Sequence, residues 1–299
     1  MFTVNSKISL IIPVFNESSE VENFFTDLKN CNLDLINQII FVNDCSTDNS
    51  FNLIKKKIDE LTKLSTNVNF LLINNLKNRG YGFSIKKGVT NSINDTIAII
   101  DLDRTYKIED LNNIANQFIN EYKMEYDLIT GQRTIDVTNT SKLKIVGKTI
   151  INMIANFCFN EKIIDYNSGL RVFNKNKFTK HSHMMSNRFS LTTSMTITFL
   201  NENYEIKFHK IKYEERSGKS KLGIKDFFKF LYTIFSLLFY YKPFKVIIPL
   251  ILPLFTAFIF FLINDIYSGD ITDKTILLFN FNFFSIILLF VIDRINKLK

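Results

Sequence analysis

In Ile97-Ala-Ile-Ile-Asp101-Leu-Asp103, an apolar run leads directly into two carboxylates. In an extended chain, residues i and i+2 point to the same side. Asp101 and Asp103 therefore converge on one cation if the backbone stays extended past Ile100. Two carboxylates suit Mg²⁺ or Mn²⁺ held against a diphosphate. An Asp-x-Asp also arises by chance in solvated loops, so its meaning depends on the rest of the chain.

Further short apolar runs alternate with helix-like segments on either side of that stretch. The predicted strands are residues 8–14, 39–42, 70–73, 97–100 and 128–131. Continuous apolar runs are typical of buried parallel strands, and β-α alternation implies right-handed crossovers. The sequence therefore predicts an α/β fold with a doubly wound, mostly parallel sheet and helices on both of its faces.

Polar residues follow four of the predicted strands where each strand ends. They are Asn16 and Glu17 after the first strand, Asp44 after the second, Asp101 and Asp103 after the fourth, and Arg133 after the fifth. Doubly wound sheets bind ligands beyond the carboxyl ends of their strands. We therefore expect one polar site at this edge of the sheet.

A turn rich in glycine, Asn78-Arg-Gly80-Tyr-Gly82, precedes another helix-like run. Its glycines allow the backbone to approach an anion at a helix N-terminus. A plain turn is the alternative interpretation of the same residues.

The chain of 299 residues has a net charge of +8. Its cations cluster beside apolar segments, which favours an anionic membrane surface or phosphate substrates over nucleic acid as the partner. Cys31, Cys45 and Cys158 are widely spaced and indicate neither a disulfide framework nor a metal site. The N-terminal residues lack the pattern of a signal peptide, so we expect the first two thirds of the chain to stay in the cytoplasm.

The last third of the chain is apolar enough to enter lipid. Residues 227–241 are aromatic with little charge, which predicts an interfacial juxtamembrane helix. Residues 246–263 and 276–292 are each long enough to span a bilayer core of about 30 Å. A buried amphipathic helix is the alternative for the second span, in which Asn280, Asn282 and Ser285 are expected to bond to a neighbouring helix.

Charges around the two predicted spans set their orientation. Lysines and an arginine flank the outer ends, whereas aspartates dominate between the spans. Lys and Arg are more frequent on the cytoplasmic side of membrane spans, so the cations at the outer ends predict that both termini are cytoplasmic. The predicted domains are a catalytic domain at 1–225, the juxtamembrane helix at 226–243 and a transmembrane region at 244–299.

Two basic segments lie between the predicted sheet and the spans. Residues 142–159 place Lys144 and Lys148 ahead of an apolar pattern typical of a helix on a membrane or of an ordinary packed helix. Residues 213–221 place Arg216, Lys219 and Lys221 around a glycine, which suits a diphosphate or a lipid phosphate. A polybasic patch for anionic lipid is the alternative for this second segment.

Together these motifs resemble the family-2 glycosyltransferases of the GT-A fold, specifically the dolichyl- or undecaprenyl-phosphate mannose and glucose synthases. The matching segments, in order, are Ile11-Ile-Pro13-Val-Phe-Asn16-Glu17, Val42-Asn-Asp44-Cys-Ser46-Thr-Asp48, Asn78-Arg-Gly80, Asp101-Leu-Asp103, Gly131-Gln-Arg133, Asn167-Ser168-Gly169-Leu-Arg171 and Arg216-Ser-Gly-Lys219-Ser-Lys221. The resemblance covers nearly the whole chain. It implies a Rossmann-like GT-A catalytic domain followed by a juxtamembrane helix and a two-helix transmembrane hairpin.

The resemblance also implies a role for each matching residue. Binding of the nucleotide sugar falls to Pro13, Phe15, Glu17, Val42, Asp44, Gly80, Asp101, Leu102, Asp103, Arg133, Arg216 and Lys219. The catalytic residues are Asp101, Asp103, Arg133 and Arg216, and the ligands of Mg²⁺ or Mn²⁺ are Asp101 and Asp103. The residues that bind the lipid phosphate are Arg133, Lys144, Lys148 and Lys221.

Three positions depart from the family pattern. Cys45 replaces a usual glycine, Asn43 replaces a usual aspartate, and Thr105 stands where close relatives often have a glutamine that contacts the metal. These departures bear on base preference and on metal geometry.

The implied activity is the inverting, metal-dependent transfer of a hexose from a donor such as UDP-glucose or GDP-mannose to a polyprenyl phosphate, in cell-envelope glycan biosynthesis. The sequence leaves the sugar and the base open, and a homo-oligomer is compatible with it. One alternative is a transferase of the same fold that acts on a hydroxyl acceptor of a glycolipid or polysaccharide. The other is an inactive membrane module that binds a nucleotide.

Overall fold

The computed structural model describes residues 7–63, 67–121, 125–133, 165–188, 190–212 and 224–297. The described strands form one seven-stranded sheet in the order β3-β2-β1-β4-β6-β5-β7. They are β1 (Ile8–Val14), β2 (Ile36–Asn43), β3 (Asn69–Asn74), β4 (Thr96–Ile99), β5 (Leu128–Arg133), β6 (Arg171–Asn174) and β7 (Ile206–Ile211).

Helices connect these strands and complete the described chain. They are α1 (Val21–Asn30), α2 (Ser50–Thr62), α3 (Tyr81–Thr90), α4 (Ile108–Asn116), α5 (Lys175–His181), α6 (Leu191–Asn201), α7 (Ile224–Tyr241), α8 (Pro243–Ser268) and α9 (Asp273–Lys297). A π-helical turn at Gln117–Glu121 follows α4, and a 3₁₀ turn at Ser182–Met184 follows α5.

The sheet is mostly parallel, as predicted. β1 pairs in parallel with β2 and β4, β2 with β3, and β5 with β7. Among the described strands, β6 runs antiparallel to its neighbours β4 and β5. The carboxyl ends of β1 to β5 therefore all lie at one edge of the sheet.

Apolar cores lie on both faces of the sheet because side chains alternate along each strand. Leu10 and Ile12 of β1 belong to a core with Phe24 of α1, which also includes side chains of α2 and α4. Ile11 belongs to a second core with Ile85 of α3, which also includes side chains of α5 and α6. The expectation of helices on both faces is confirmed.

The expectation that the backbone stays extended past Ile100 is wrong. β4 ends at Ile99, and Leu102 and Asp103 lie in a turn. Asp103 Oδ1 accepts hydrogen bonds from the backbone N and the Oγ1 of Thr105, at 3.2 and 2.7 Å. Such local bonds from an aspartate compete with the strand and stabilise a turn instead. Arg104, within that turn, has a φ of +60°.

The described chain divides into two compact units between Thr233 and Ile234. In the second unit, α8 and α9 contain the predicted spans, and both are long and apolar enough to cross a membrane. Asn282 of α9 donates a hydrogen bond to the backbone O of Leu254 in α8 at 3.4 Å, as expected for a polar residue in a helix pair. Gly269 ends α8 with a φ of +74°.

Candidate active site

Hydrogen bonds tie the loop after β1 to the loop after β2. The backbone N of Asn16 donates to Ser46 Oγ at 3.0 Å, and the backbone N of Thr47 donates to Asn16 Oδ1 at 2.8 Å. The backbone N of Glu17 donates to Ser50 Oγ at 2.9 Å. Because each bond joins side chain to backbone across the two loops, the edge of the sheet has a fixed shape here.

The predicted nucleoside-contacting residues lie together at this edge. Pro13 and Val42 are paired in the β1–β2 register, and the backbone N of Asp44 donates to Val14 O at 2.8 Å. The Val42 side chain is fully buried, whereas the Phe15 side chain is 37% exposed. Phe15 is thus accessible at this edge, and its contact with a nucleoside stays a prediction.

Asp44 holds the turn that contains Gly80. Its carboxylate accepts hydrogen bonds from the backbone N of Arg79 at 2.9 Å, from the backbone N of Gly80 at 2.7 Å, and from Asn75 Nδ2 at 2.9 Å. Asp44 is 3% exposed, so these donors compensate the burial of its charge. The glycine turn does bind an anion, but that anion is the side chain of Asp44.

The first turn of α3 contacts the segment that precedes α6. The backbone N of Gly82 donates to Arg188 O at 3.2 Å, and the backbone N of Phe83 donates to Asn187 O at 2.9 Å. These groups are the donors that a helix N-terminus would otherwise offer to an anion. The N–H groups of Gly82 and Phe83 are therefore used by contacts within the protein, and the nucleotide-sugar contact of Gly80 stays a prediction.

Two departures from the family pattern lie at the end of β2. Asn43 Nδ2 donates to Asn74 Oδ1 at 2.7 Å, and Ser46 Oγ donates to Asn43 Oδ1 at 2.6 Å. Asn43 is 2% exposed, so it ties β2 to β3 inside the protein. Cys45 has a φ of +58°, the left-handed region that favours the glycine it replaces.

The carboxylates of Asp101 and Asp103 have different surroundings. Oδ2 of Asp101 occupies the space that a Cβ on Gly169 would need, so a larger residue at 169 would displace the Asp101 carboxylate. Burial, and next the charge of Asp101, raise the pKa of Tyr81 well above its usual value. Asp103 is half-buried and bonds to Thr105. Asp101 therefore lies against the β6 side of the site, while Asp103 is held in the turn.

Arg133 ends β5 and forms a bidentate ion pair with Asp165. Arg133 Nε lies 2.7 Å from Asp165 Oδ2, and Arg133 Nη2 lies 2.8 Å from Asp165 Oδ1. The Asp165 side chain is 1% exposed and the Arg133 side chain 19%. Burial alone would raise the pKa of Asp165, but the hydrogen bonds and charge of Arg133 lower it overall. Asp165 is thus ionised at neutral pH.

Several predicted site residues lie outside the described residues. They are Lys144, Lys148, Arg216, Lys219 and Lys221. Their roles stay predictions.

A comparison of the sequence with models of protein families agrees with this fold. The family model described as glycosyl transferase family 2 matches residues 9–193. This chain belongs to glycosyl transferase family 2. The match begins in β1 and ends in α6, so it includes every described element that forms the candidate site of this family-2 transferase.

Curated and solved relatives agree with this membership. The family-2 transferase is 26% identical over 243 residues to a UDP-N-acetylglucosamine–dolichyl-phosphate N-acetylglucosaminyltransferase of Methanococcus voltae, covering 75% of this chain and 94% of that protein. Its fold is similar to glucosyl-3-phosphoglycerate synthase of Mycobacterium tuberculosis solved with Mn²⁺, UDP-glucose and phosphoglyceric acid, at a TM-score of 0.60 and 10% identity, covering 78% of this chain and 79% of that one. The mannosyltransferase PcManGT of Pyrobaculum calidifontis, solved with GDP-mannose and Mn²⁺, is similar at a TM-score of 0.53 and 13% identity, covering 73% of this chain and 59% of that one. The neighbours confirm the GT-A fold.

Two carboxylates of the family-2 transferase suit a divalent cation by their ligand chemistry, although the turn after β4 removes the extended backbone on which their convergence depended. Asp101 and Asp103 offer carboxylate oxygens, the hard ligands that Mg²⁺ and Mn²⁺ prefer. In the described part of the chain, no group of three or more His, Cys, Asp or Glu forms a complete cage for a metal. Mg²⁺ is usually bound by one or two carboxylates together with substrate phosphates, so the donor set suits a metal that arrives with a diphosphate.

Sequence reasoning did not identify Asp165, the partner of the predicted site residue Arg133. It lies two residues before the quoted Asn167-Ser168-Gly169-Leu-Arg171 segment, and its partner is more than thirty positions earlier along the chain. The sequence around an aspartate does not show which distant arginine it will pair with. The proximity to a motif with glycine and arginine was the available signal.

Proposed function

We propose that this family-2 transferase moves a sugar from a nucleotide sugar to the phosphate of a polyprenyl phosphate at a membrane. Family membership makes the chain a glycosyltransferase that acts on a nucleotide sugar. The observation that carries the acceptor is the Methanococcus voltae relative, whose name specifies dolichyl phosphate and 94% of whose length is matched. The two apolar helices that follow the sheet support a lipid acceptor.

The chemistry requires the protein to bring two anions together. A phosphate monoester has a second pKa near 6, so a lipid phosphate is a ready nucleophile at neutral pH without a general base. The task of the protein is to orient it and to stabilise the departing nucleoside diphosphate. Asp101 and Asp103 would hold a divalent cation, which when bound neutralises charge on the diphosphate. Arg133 supplies a guanidinium suited to phosphate oxygens.

Inversion at the anomeric carbon follows from this scheme. A lipid phosphate oxygen attacks from the face opposite the leaving diphosphate, so one displacement forms the new bond and breaks the old one. No covalent sugar–enzyme intermediate is needed, because the acceptor is already ionised. The product is a sugar phosphodiester of the lipid with inverted anomeric configuration.

The second unit and the helix α7 that leads into it support attachment to a bilayer. The most apolar 18-residue windows of α8 and α9 are only 6% and 17% buried, unlike those of a core helix. On α7, Phe228, Tyr232 and Phe235 are exposed at a spacing that places them on one face of the helix, as in an interfacial helix. We propose two spans with the catalytic domain and both termini in the cytoplasm.

A transfer assay tests this function. Membranes that contain the full chain are incubated with radiolabelled UDP-N-acetylglucosamine, UDP-glucose or GDP-mannose, and with either a polyprenyl phosphate or the polyprenol of the same length. We expect label in extracted lipid with the phosphate and none with the alcohol, because the alcohol needs a base to react. Label on the polyprenol, label only in polymer, or no label from any donor would overturn the proposed acceptor.

A further inference from the structure

The Asp165–Arg133 pair is built to fix an orientation. Asp165 accepts hydrogen bonds from Arg133 Nε and Nη2, and also from the Arg133 backbone N at 3.2 Å. Asn167 N donates to Asp165 Oδ1 at 3.1 Å. A guanidinium has five N–H groups in a rigid plane, so two parallel bonds to one carboxylate set the direction of the whole plane.

The segment that carries Asp165 is itself held by a buried cation. Arg171 is fully buried and donates to Ser168 O at 2.8 Å and to Tyr166 O at 2.9 Å. It also donates to Thr196 Oγ1 of α6 at 2.9 Å. Burial lowers the pKa of Arg171 to about 10, while the charge of Asp165 acts in the opposite direction. Arg171 is thus charged at neutral pH and binds the two carbonyls that flank Asn167.

From this geometry we infer that Asp165 is a positioning residue that aims the Arg133 guanidinium at a phosphate group of the donor or the acceptor. The inference rests on the proposed function, because that function gives Arg133 its phosphate. Asp165 is 1% exposed and therefore has no open approach for a ligand, whereas Arg133 is partly exposed. Asp165 acts through Arg133, and the bonds from Arg171 keep its segment from shifting.

A double-mutant cycle tests this link. Asp165→Asn, Arg133→Gln and the double variant of the full chain are titrated in detergent micelles, in one arm with UDP and Mn²⁺ and in the other with citronellyl phosphate. We expect each single change to weaken binding in one arm by about tenfold, and the double variant to be no weaker than Arg133→Gln, because coupled residues are not additive. The arm that responds identifies the phosphate as that of the donor or of the acceptor.

Two further variants separate position from stability and from charge. Asp127→Asn is the matched control, because Asp127 is a buried carboxylate paired with Lys177 and is no part of the site. It should lower the unfolding midpoint as Asp165→Asn does, yet leave phosphate affinity unchanged. Asp165→Glu keeps the charge but displaces the guanidinium, so its affinity should stay reduced.

Three results would overturn the inference. They are additive losses in the cycle, wild-type affinity in Asp165→Glu, and unchanged affinity of Arg133→Gln in both arms. None of these depends on sugar transfer, which decides the proposed function separately. A wild-type protein that transfers no sugar but shows coupling in the UDP arm would refute the acceptor and leave the role of Asp165 standing.

Discussion

Cys45 occupies a backbone conformation that costs energy for any residue with a Cβ. Its φ of +58° lies in the left-handed region, where an L-residue other than Asn or Asp is strained by about 1 kcal/mol or more. The resemblance to the family implies that Cys45 replaces a usual glycine, and the left-handed φ explains why glycine suits this position. The strain lies next to Asp44, which holds the glycine turn.

Replacing Cys45 by glycine should therefore stabilise the protein. We expect Cys45→Gly to raise the free energy of unfolding by about 1 kcal/mol, because it relieves the left-handed strain. Cys31→Gly is the matched control, since Cys31 has an extended backbone with a φ of −99°. That control should lose stability. Thermal unfolding in detergent micelles measures both, and equal losses in the two variants would contradict the account.

Asp165 makes stability depend on acid pH. Its pKa is lowered in the folded protein, so its contribution is fully present above the unfolded value of about 3.9 and is lost as pH falls through the folded value. The midpoint temperature of unfolding of the wild type should therefore decrease as the pH is lowered below about 4. Asp165→Asn should lack the part of this decrease that Asp165 causes. Unfolding midpoints of the two proteins measured against pH test this prediction. Parallel curves for the wild type and Asp165→Asn would contradict it.

The buried charges are the residues that sequence reasoning reached least well. Arg171 is fully buried, although arginine is one of the residue types that are rarely buried. Its burial depends on Thr196 and two carbonyls, none of which a linear pattern reveals. By contrast, the positions of Asp44 and Arg133 at the edge of the sheet can be predicted, because each follows an apolar run.

At the scale of elements, apolar runs located five strands and missed two. β1 to β5 each contain a continuous apolar run, buried in all of them except β3, so their pattern is visible in the sequence. β6 begins with Arg171, and β7 (Ile206–Ile211) lies at the edge of the sheet with polar residues at 207, 209 and 210, so it contains no continuous apolar run. The sequence does not predict the turn at Asp103 either. An extended chain and a turn are both allowed there, and the local hydrogen bonds from Thr105 to Asp103 stabilise the turn.

Two glycines of α3 give a test of packing at this scale. A Cβ on Gly82 would collide with the backbone O of Ser186, whereas a Cβ on Gly88 would meet Ile11 Cγ2 at 2.5 Å, an atom of a side chain. A backbone carbonyl cannot turn away as a side chain can. Gly82→Ala should therefore cost about 2 kcal/mol of unfolding free energy.

Gly88→Ala is the control for that prediction, because both changes gain the same helix propensity of about 1 kcal/mol. It should cost less than Gly82→Ala in the same thermal unfolding experiment. An equal or smaller loss in Gly82→Ala would show that the segment before α6 is not fixed against α3.

At the scale of the whole molecule, the chain combines a family-2 sheet domain with a helix pair suited to lipid. Alternation of strands and helices predicted the first, and two long apolar segments predicted the second, because burial in protein and burial in lipid leave different patterns. The cation and the lipid phosphate are the parts that neither pattern supplies. The cation is proposed on Asp101 and Asp103, which follow β4, whereas the lipid phosphate is proposed from the Methanococcus voltae relative.

The most direct test of the account is the initial rate of sugar transfer to polyprenyl phosphate as Mn²⁺ is added to chelator-treated membranes. The wild-type rate should rise from near zero to a plateau. Asp103→Asn should stay at least about a hundredfold lower at every concentration, since one ligand and its charge are gone. Asp59→Asn on α2, remote from the site by sequence and element, should follow the wild-type curve. Transfer that persists in chelator, or a near-normal rate in Asp103→Asn, would contradict the central claim.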